Sequence, residues 1–171
     1  MNMQQRGFTL IELIVVIVIL GILAVTAAPR FIDFQGDARA STLQGLKAAL
    51  QGGSNLVYAK SSIAGEQGNA NANDSTTQVE IGSTTVETDF GYPDAELMTS
   101  ASANAWVEIA AADWTLLVGD GQTGNPALGT NAFTPNGVTY DADTDNACQV
   151  LYIEPTAEGE SPTITVQSDG C

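Results

Sequence analysis

Glu12 is the residue that most needs a chemical explanation. It is the only charged residue from Phe8 to Ala28, a run of twenty-one residues that is otherwise apolar or neutral. A carboxylate placed toward the centre of a bilayer costs on the order of 2.5–3.5 kcal/mol, so such a group usually has a partner and a task. Arg6 is the nearest cation, but it sits in the polar stretch ahead of the run, and the neighbouring sequence offers Glu12 no other partner. A cut after Gly7 would supply one, because Phe8 would then present a free ammonium that a neighbouring copy could bring against Glu12. The competing reading leaves Glu12 solvated at the level of the lipid headgroups.

Three other sets of residues invite chemistry. Asp141, Asp143 and Asp145 stand at alternate positions, as at the opening of a calcium loop of EF-hand type. The glycine place of that motif holds Asn146 and the bidentate place holds Tyr152, so a solvated loop is the favoured reading and the three are candidate calcium ligands only. Trp106, Trp114, Tyr140 and Tyr152 suit a sugar-stacking surface, although aromatics in strand runs are more often core or cross-strand pairs. Cys148 and Cys171 are the only cysteines, with no CxxC and no His, so neither a metal nor a redox role is expected of them. Without His, a nucleophile in a recognisable setting or a phosphate-binding glycine loop, the chain is not expected to be an enzyme. No cofactor is expected beyond that candidate calcium ion.

The elements that position these residues begin with the apolar run. Twenty-one helical residues rise roughly 32 Å, enough for a bilayer core. Arg6 favours the cytoplasmic side, leaving the bulk of the chain outside. The helix is expected to continue past Pro29 to about Ala59, because apolar residues recur at Phe31, Phe34, Ala38, Leu43, Leu46, Leu50 and Val57. Its second half is amphipathic and packs on a sheet. Pro29 predicts a kink, and Gly21 weakens the interior.

Ser61 to Asn73 reads as a surface loop, and Asn73-Asp74-Ser75 matches a glycosylation sequon. Val79–Ile81 and Thr84–Val86 flank Gly82-Ser83 as a small hairpin. Asp94 is expected to cap a helix over Ala95 to Ala103. Candidate strands follow at Trp106–Ile109, Trp114–Val118, Val138–Tyr140, Cys148–Ile153 and Thr163–Val166, giving an antiparallel sheet of about four strands. The expected fold class is α+β. All five cations precede residue 61 and seventeen acids follow it, so the distal region should repel nucleic acid.

Gly7 before Phe8, then Thr9-Leu10-Ile11-Glu12, Gly21 and Pro29 together resemble the N-terminal signature of the type IV pilin family. The stretch from Gly7 to about Ala49, with Pro29-Arg30-Phe31-Ile32-Asp33 and Gly36 to Leu43, is most similar to the type IVa branch that builds mannose-sensitive haemagglutinin (MSHA) pili. The resemblance implies a prepilin leader at 1–7, a transmembrane and filament-core helix at 8–28, an amphipathic half at 29–60 and a globular head at 61–171. It implies cleavage between Gly7 and Phe8 by a prepilin peptidase and N-methylation of Phe8. Glu12 would register subunits against a neighbour's ammonium, and Gly21 and Pro29 would bound a segment that unwinds in the fibre. Cys148 and Cys171 would close a disulfide loop at 148–171. The expected partners are further copies in a helical filament, the peptidase and the inner-membrane assembly machinery. The precursor would span the inner membrane once and end in an extracellular pilus used for attachment.

Three rivals remain at this level. A secretory signal fits loosely, with small residues around Val25–Ala28, but a carboxylate in the apolar region argues against it. A pseudopilin of a type II secretion system shares the signature and favours calcium over a disulfide. A membrane-anchored cation- or glycan-binding domain belongs to another class.

Overall fold

The computed structural model describes residues 8–70 and 77–171, and at 28–33 the backbone only. It has an α+β architecture with two antiparallel sheets. Helix α1 runs Leu10–Ala64, five residues beyond the expected end, and its helical assignment continues through Gly21 and Pro29. Gly65 stops it in the left-handed region at φ 80°, where its N–H donates to the Ser62 carbonyl and that of Glu66 to the Ser61 carbonyl. Those two bonds satisfy carbonyls that the last turn would leave open.

The chain forms two compact units, Met1–Ala38 and Arg39–Cys171. In the first, Leu10–Ala27 is a stretch long and apolar enough to cross a membrane, and its side chains are exposed almost throughout. In the second, α1 buries Leu43, Leu46, Leu50 and Val57, at the steps of three, four and seven expected from the sequence. Ser54 and Ser61 complete that buried row.

Past the helix come β1 (Gln78–Ile81), β2 (Thr84–Asp89) and β3 (Tyr92–Pro93), an antiparallel sheet in that order with Val79 opposite Val86. The first two strands are the expected hairpin about Gly82-Ser83. Tyr92 stacks on Tyr58 of α1, with ring centroids 4.6 Å apart.

Helix α2 spans Ser100–Trp106, not Ala95 to Ala103, and its cap is Thr99 rather than Asp94. The Thr99 hydroxyl accepts from the Ser102 N–H while the Ser102 hydroxyl accepts from the Thr99 N–H. That reciprocal pair outcompetes Asp94, which is 3 % exposed and serves only a local turn by accepting from the Leu97 N–H. Trp106–Ile109 is therefore no strand: Trp106 ends α2, and Val107 is its extended C-cap.

The second sheet is a meander, β4 (Trp114–Val118), β5 (Thr130–Pro135), β6 (Gln149–Ile153) and β7 (Thr163–Gln167), in the order β4-β5-β6-β7. Phe133 pairs with Leu116 on one side and Val150 on the other. Four strands are present as expected, but one is β5 and none is Val138–Tyr140. After the Asn136-Gly137 turn the chain is held by a side chain instead of a ladder. Gln149 accepts from the Asp141 N–H and donates to the Asp141 carbonyl, doing for this loop what a neighbouring strand would do.

The core of this unit gathers the α1 row with Val79, Val86, Met98, Trp106, Phe133, Val150, Tyr152 and Ile164. Gly53 sets how closely α2 approaches. A Cβ there would strike the Trp106 carbonyl oxygen and lie 2.7 Å from Trp106 Cε3 and 2.8 Å from Val107 Cγ2. Only glycine lets the end of α2 lie directly on α1.

Candidate functional site

The N-terminal site is built on the first turn of α1. Thr9 stands at the N-cap and Glu12 at the third helical position, and the two form a capping box. The Thr9 N–H and hydroxyl both donate to Glu12 Oε2, at 2.9 and 2.8 Å, and the Glu12 N–H donates to Thr9 Oγ1 at 3.3 Å. This corrects the expectation that the neighbouring sequence holds no partner for Glu12. The signal was present, since Thr-x-x-Glu ahead of an apolar run is the capping-box pattern. A carboxylate accepts about four hydrogen bonds, so two from Thr9 leave room for an ammonium.

Phe8 is 91 % exposed just ahead of this turn, and Gly7 lies outside the described residues. From Leu10 onward Leu, Ile and Val side chains cover every side of the helix, among them Leu13, Ile17, Leu20 and Ile22. A helix apolar all round needs lipid or other apolar surface about it, because water would leave that area unburied. Gly21 has open space around its Cα, while the Pro29 side chain lies outside the described atoms.

At the other end of the chain Cys148 and Cys171 form a disulfide, with Cα atoms 4.9 Å apart. It fastens the last residue to the start of β6, and the Gly170 N–H donates to the Ala147 carbonyl alongside it. The loop so closed contains β6 and β7.

The acidic run ahead of β6 is arranged as successive turns. Asp141 Oδ1 accepts from the Asp143 N–H, Asp143 Oδ1 from the Asp145 N–H, and Asp143 Oδ2 from the Asn146 side-chain amide. Among the described residues no group of three or more His, Cys, Asp or Glu side chains is gathered as a metal site. The sequon at Asn73 lies outside the described residues.

The four aromatics do not share a surface. Trp106 and Tyr152 are core residues with ring centroids 6.0 Å apart, and Trp114 packs partly buried against the same core. The Tyr152 hydroxyl donates to the Pro93 carbonyl at 2.7 Å, and burial pushes its pKa well up.

Sequence reasoning also missed a partly buried acidic group around Asp94 and Ala95. Glu154 is pushed up to about 7, first by burial and then by the carboxylates of Asp94, Asp89 and Glu96, against the pull of a hydrogen bond from the Ala95 N–H. Burial likewise raises Asp94, and it raises Glu87 with help from the Asp94 charge.

Comparison with known proteins finds similarity in the N-terminal stretch. A family model described as the prokaryotic N-terminal methylation motif matches residues 2–28. Over 49 residues the chain is 47 % identical to the type IV narrow pilus major component of Thermus thermophilus, covering 29 % of this chain and 42 % of that protein. It is 55 % identical over 40 residues to the type IV major pilin protein of Myxococcus xanthus, covering 23 % of this chain and 18 % of the relative. A type IV major pilin protein of Neisseria gonorrhoeae is 54 % identical over 41 residues, covering 24 % of this chain and 25 % of its own. The chain thus spans less than half the length of each of these relatives. No solved structure matches the chain significantly. The motif and the pilin matches together support the type IV pilin family, and that support comes from the N-terminal stretch.

Proposed function

We propose that this chain is a prepilin whose mature form is the repeating, non-enzymatic subunit of an extracellular type IV pilus, of the MSHA type and used for attachment. One observation carries the reading. A methylation motif at residues 2–28 coincides with a helix whose apolar side chains from Leu10 to Ala27 have no protein covering them. Lipid satisfies that surface before assembly, and the same segments of other copies satisfy it afterward. In this reading a prepilin peptidase cuts between Gly7 and Phe8 and methylates the Phe8 amine. Glu12, held upright by Thr9, meets the ammonium of a neighbour and sets its register, while apolar burial along Leu13–Ala28 supplies the strength. The precursor spans the inner membrane once and is drawn out by the assembly machinery. The MSHA-type stretch from Pro29 to Leu43 and the closed loop at 148–171 support the branch.

Electron micrographs of cells with and without this chain test the reading. Surface fibres that vanish on deletion and return with the intact gene are the expected outcome. Unchanged fibres in the deletion strain would remove the proposal.

A further inference from the structure

The outer strand of a sheet has backbone groups with no ladder to join, and folded proteins ordinarily charge or cover such an edge. Two edges here are treated in that way. In β1 the Glu80 carbonyl points away from β2, because Thr77 with Thr88 and Val79 with Val86 are the bonded pairs, and the Lys60 ammonium donates to it at 2.8 Å. Strand β7 follows Ser161-Pro162 and lies beside Gln51, Ser54 and Asn55 of α1. Strand β4 has neither protection. The Asn136 N–H donates to the Asp113 carbonyl, and alternation then makes Thr115 with Thr134 and Leu117 with Ala132 the bonded pairs. The N–H and C=O groups of Leu116 and Val118 therefore face away from β5, and no hydrogen bond from the described residues reaches them. The strand carries no charge, Thr115 is exposed, and its other four side chains are half-buried.

A cleft adjoins this strand. Ser100, Ala103 and Asn104 of α2 line one side, Trp114 and Leu116 of β4 the other, with Phe133 of β5, and the free space between them is about 260 Å³ counting the open mouth. Ser100 and Asn104 are exposed, so the cleft is reached from solvent. A residue opposite Leu116 on an added strand would stand on the Leu116 side of the sheet and direct its side chain to this cleft. Main-chain bonds to Leu116 and Val118 supply attachment, and the cleft selects a short apolar side chain. Charge decides the occupant. Asp113 immediately precedes the strand and Asp120 follows it by two residues, both exposed, and no Lys or Arg occurs after Lys60 to offset them. Two copies joined edge to edge about Leu116 would bring Asp113 of each beside Asp120 of the other, acid against acid. An extended segment with Lys or Arg at both ends meets an acid at each end instead. We propose that the open edge of β4 is a strand-addition site for an extended segment of a separate protein, apolar opposite Leu116 and cationic at its ends. The site lies wholly within Arg39–Cys171 and does not depend on the filament reading.

The test titrates the full-length chain in detergent into a fluorescent peptide of alternating Val and Thr between terminal lysines. One control peptide replaces the lysines with glutamates, and another carries methyl groups on the amide nitrogens that face β4. Fluorescence anisotropy should show saturable binding of the lysine peptide. Each control should bind roughly tenfold more weakly or worse, the factor expected for two lost main-chain bonds or for reversed end charges. Hydrogen exchange read by mass spectrometry should slow across β4 when the lysine peptide binds and stay unchanged across β1 and β7. No saturable binding of the lysine peptide, equal binding of either control, or protection at β1 or β7 in place of β4 overturns the proposal. Protection of β4 that grows with chain concentration in the absence of peptide assigns the edge to a second copy and overturns it as well.

Discussion

Gly52 and Gly53 are neighbours in α1 with opposite surroundings, so one substitution should move stability in two directions. At Gly52 a Cβ meets nothing within 4 Å, and Ala there gains only helix propensity. That gain is about 0.5–1 kcal/mol. At Gly53 a Cβ would strike the Trp106 carbonyl oxygen and come within 2.7 Å of the indole and 2.8 Å of Val107 Cγ2. Backbone cannot swing aside as a flexible side chain can, so α2 must lift from α1. Overpacking of this kind costs about 1–3 kcal/mol, and after the propensity gain roughly 1–2 kcal/mol of destabilisation remains. For a unit of this size 1 kcal/mol shifts the midpoint by about 3–5 °C. Thermal melts of the full chain in detergent, followed by circular dichroism, should place Gly52→Ala about 2–4 °C above the unaltered chain and Gly53→Ala about 4–8 °C below it. If both variants melt higher, the close seating of Trp106 on α1 is wrong.

Other outcomes follow from the same geometry. Because the carboxyl of Glu154 is pushed up to about 7 from an ordinary 4.5, the folded state holds a proton that the unfolded chain gives up. Stability should therefore fall as pH rises from about 4.5 through 7 and level off above, by about 1–2 kcal/mol once solvent screening of this half-buried group is allowed for. Glu154→Gln should flatten most of that slope in urea titrations at several pH values, and an unaltered slope would count against the assignment. Cys171→Ser opens a loop of 23 residues and should cost about 3 kcal/mol, lowering the midpoint by roughly 10 °C. An unchanged melt would show that the bond contributes little. Glu12→Ala and Glu12→Gln separate the two tasks of that residue, since Gln keeps the capping box with Thr9 and loses the charge. Both variants should insert into the membrane yet fail to enter fibres, whereas normal fibres from Glu12→Gln would reduce Glu12 to a helix cap.

Where sequence and structure agree, a single periodic pattern dominates. The apolar run from Phe8 and the row at Leu43, Leu46, Leu50 and Val57 were legible because each repeats without competition. Strand β5 was not legible because its polar residues are buried. Asn131, on the same face as Phe133, is fully covered, donating to Met98 Sδ and accepting from the Gly119 N–H, and Ala132 and Thr134 on the opposite face are buried as well, so neither side of that strand carries a solvent signature. Val138–Tyr140 misled for the converse reason. It has strand composition after an Asn-Gly turn, but a distant glutamine, Gln149, takes up the hydrogen bonding of the next residue. The site at Glu12 was half legible: the anomalous charge was plain, while its Thr9 partner was hidden in a local pattern read only as part of a family signature.

In the proposed pilus a helix from Phe8 onward trades lipid for copies of itself. Intact mass and N-terminal fragmentation of the polypeptide sheared from the cell surface test it most directly. The expected result is a polymer whose subunit begins at Phe8, lacks residues 1–7 and carries one methyl group on its amine. A subunit that retains Met1, or one that begins near Ala28, would contradict it.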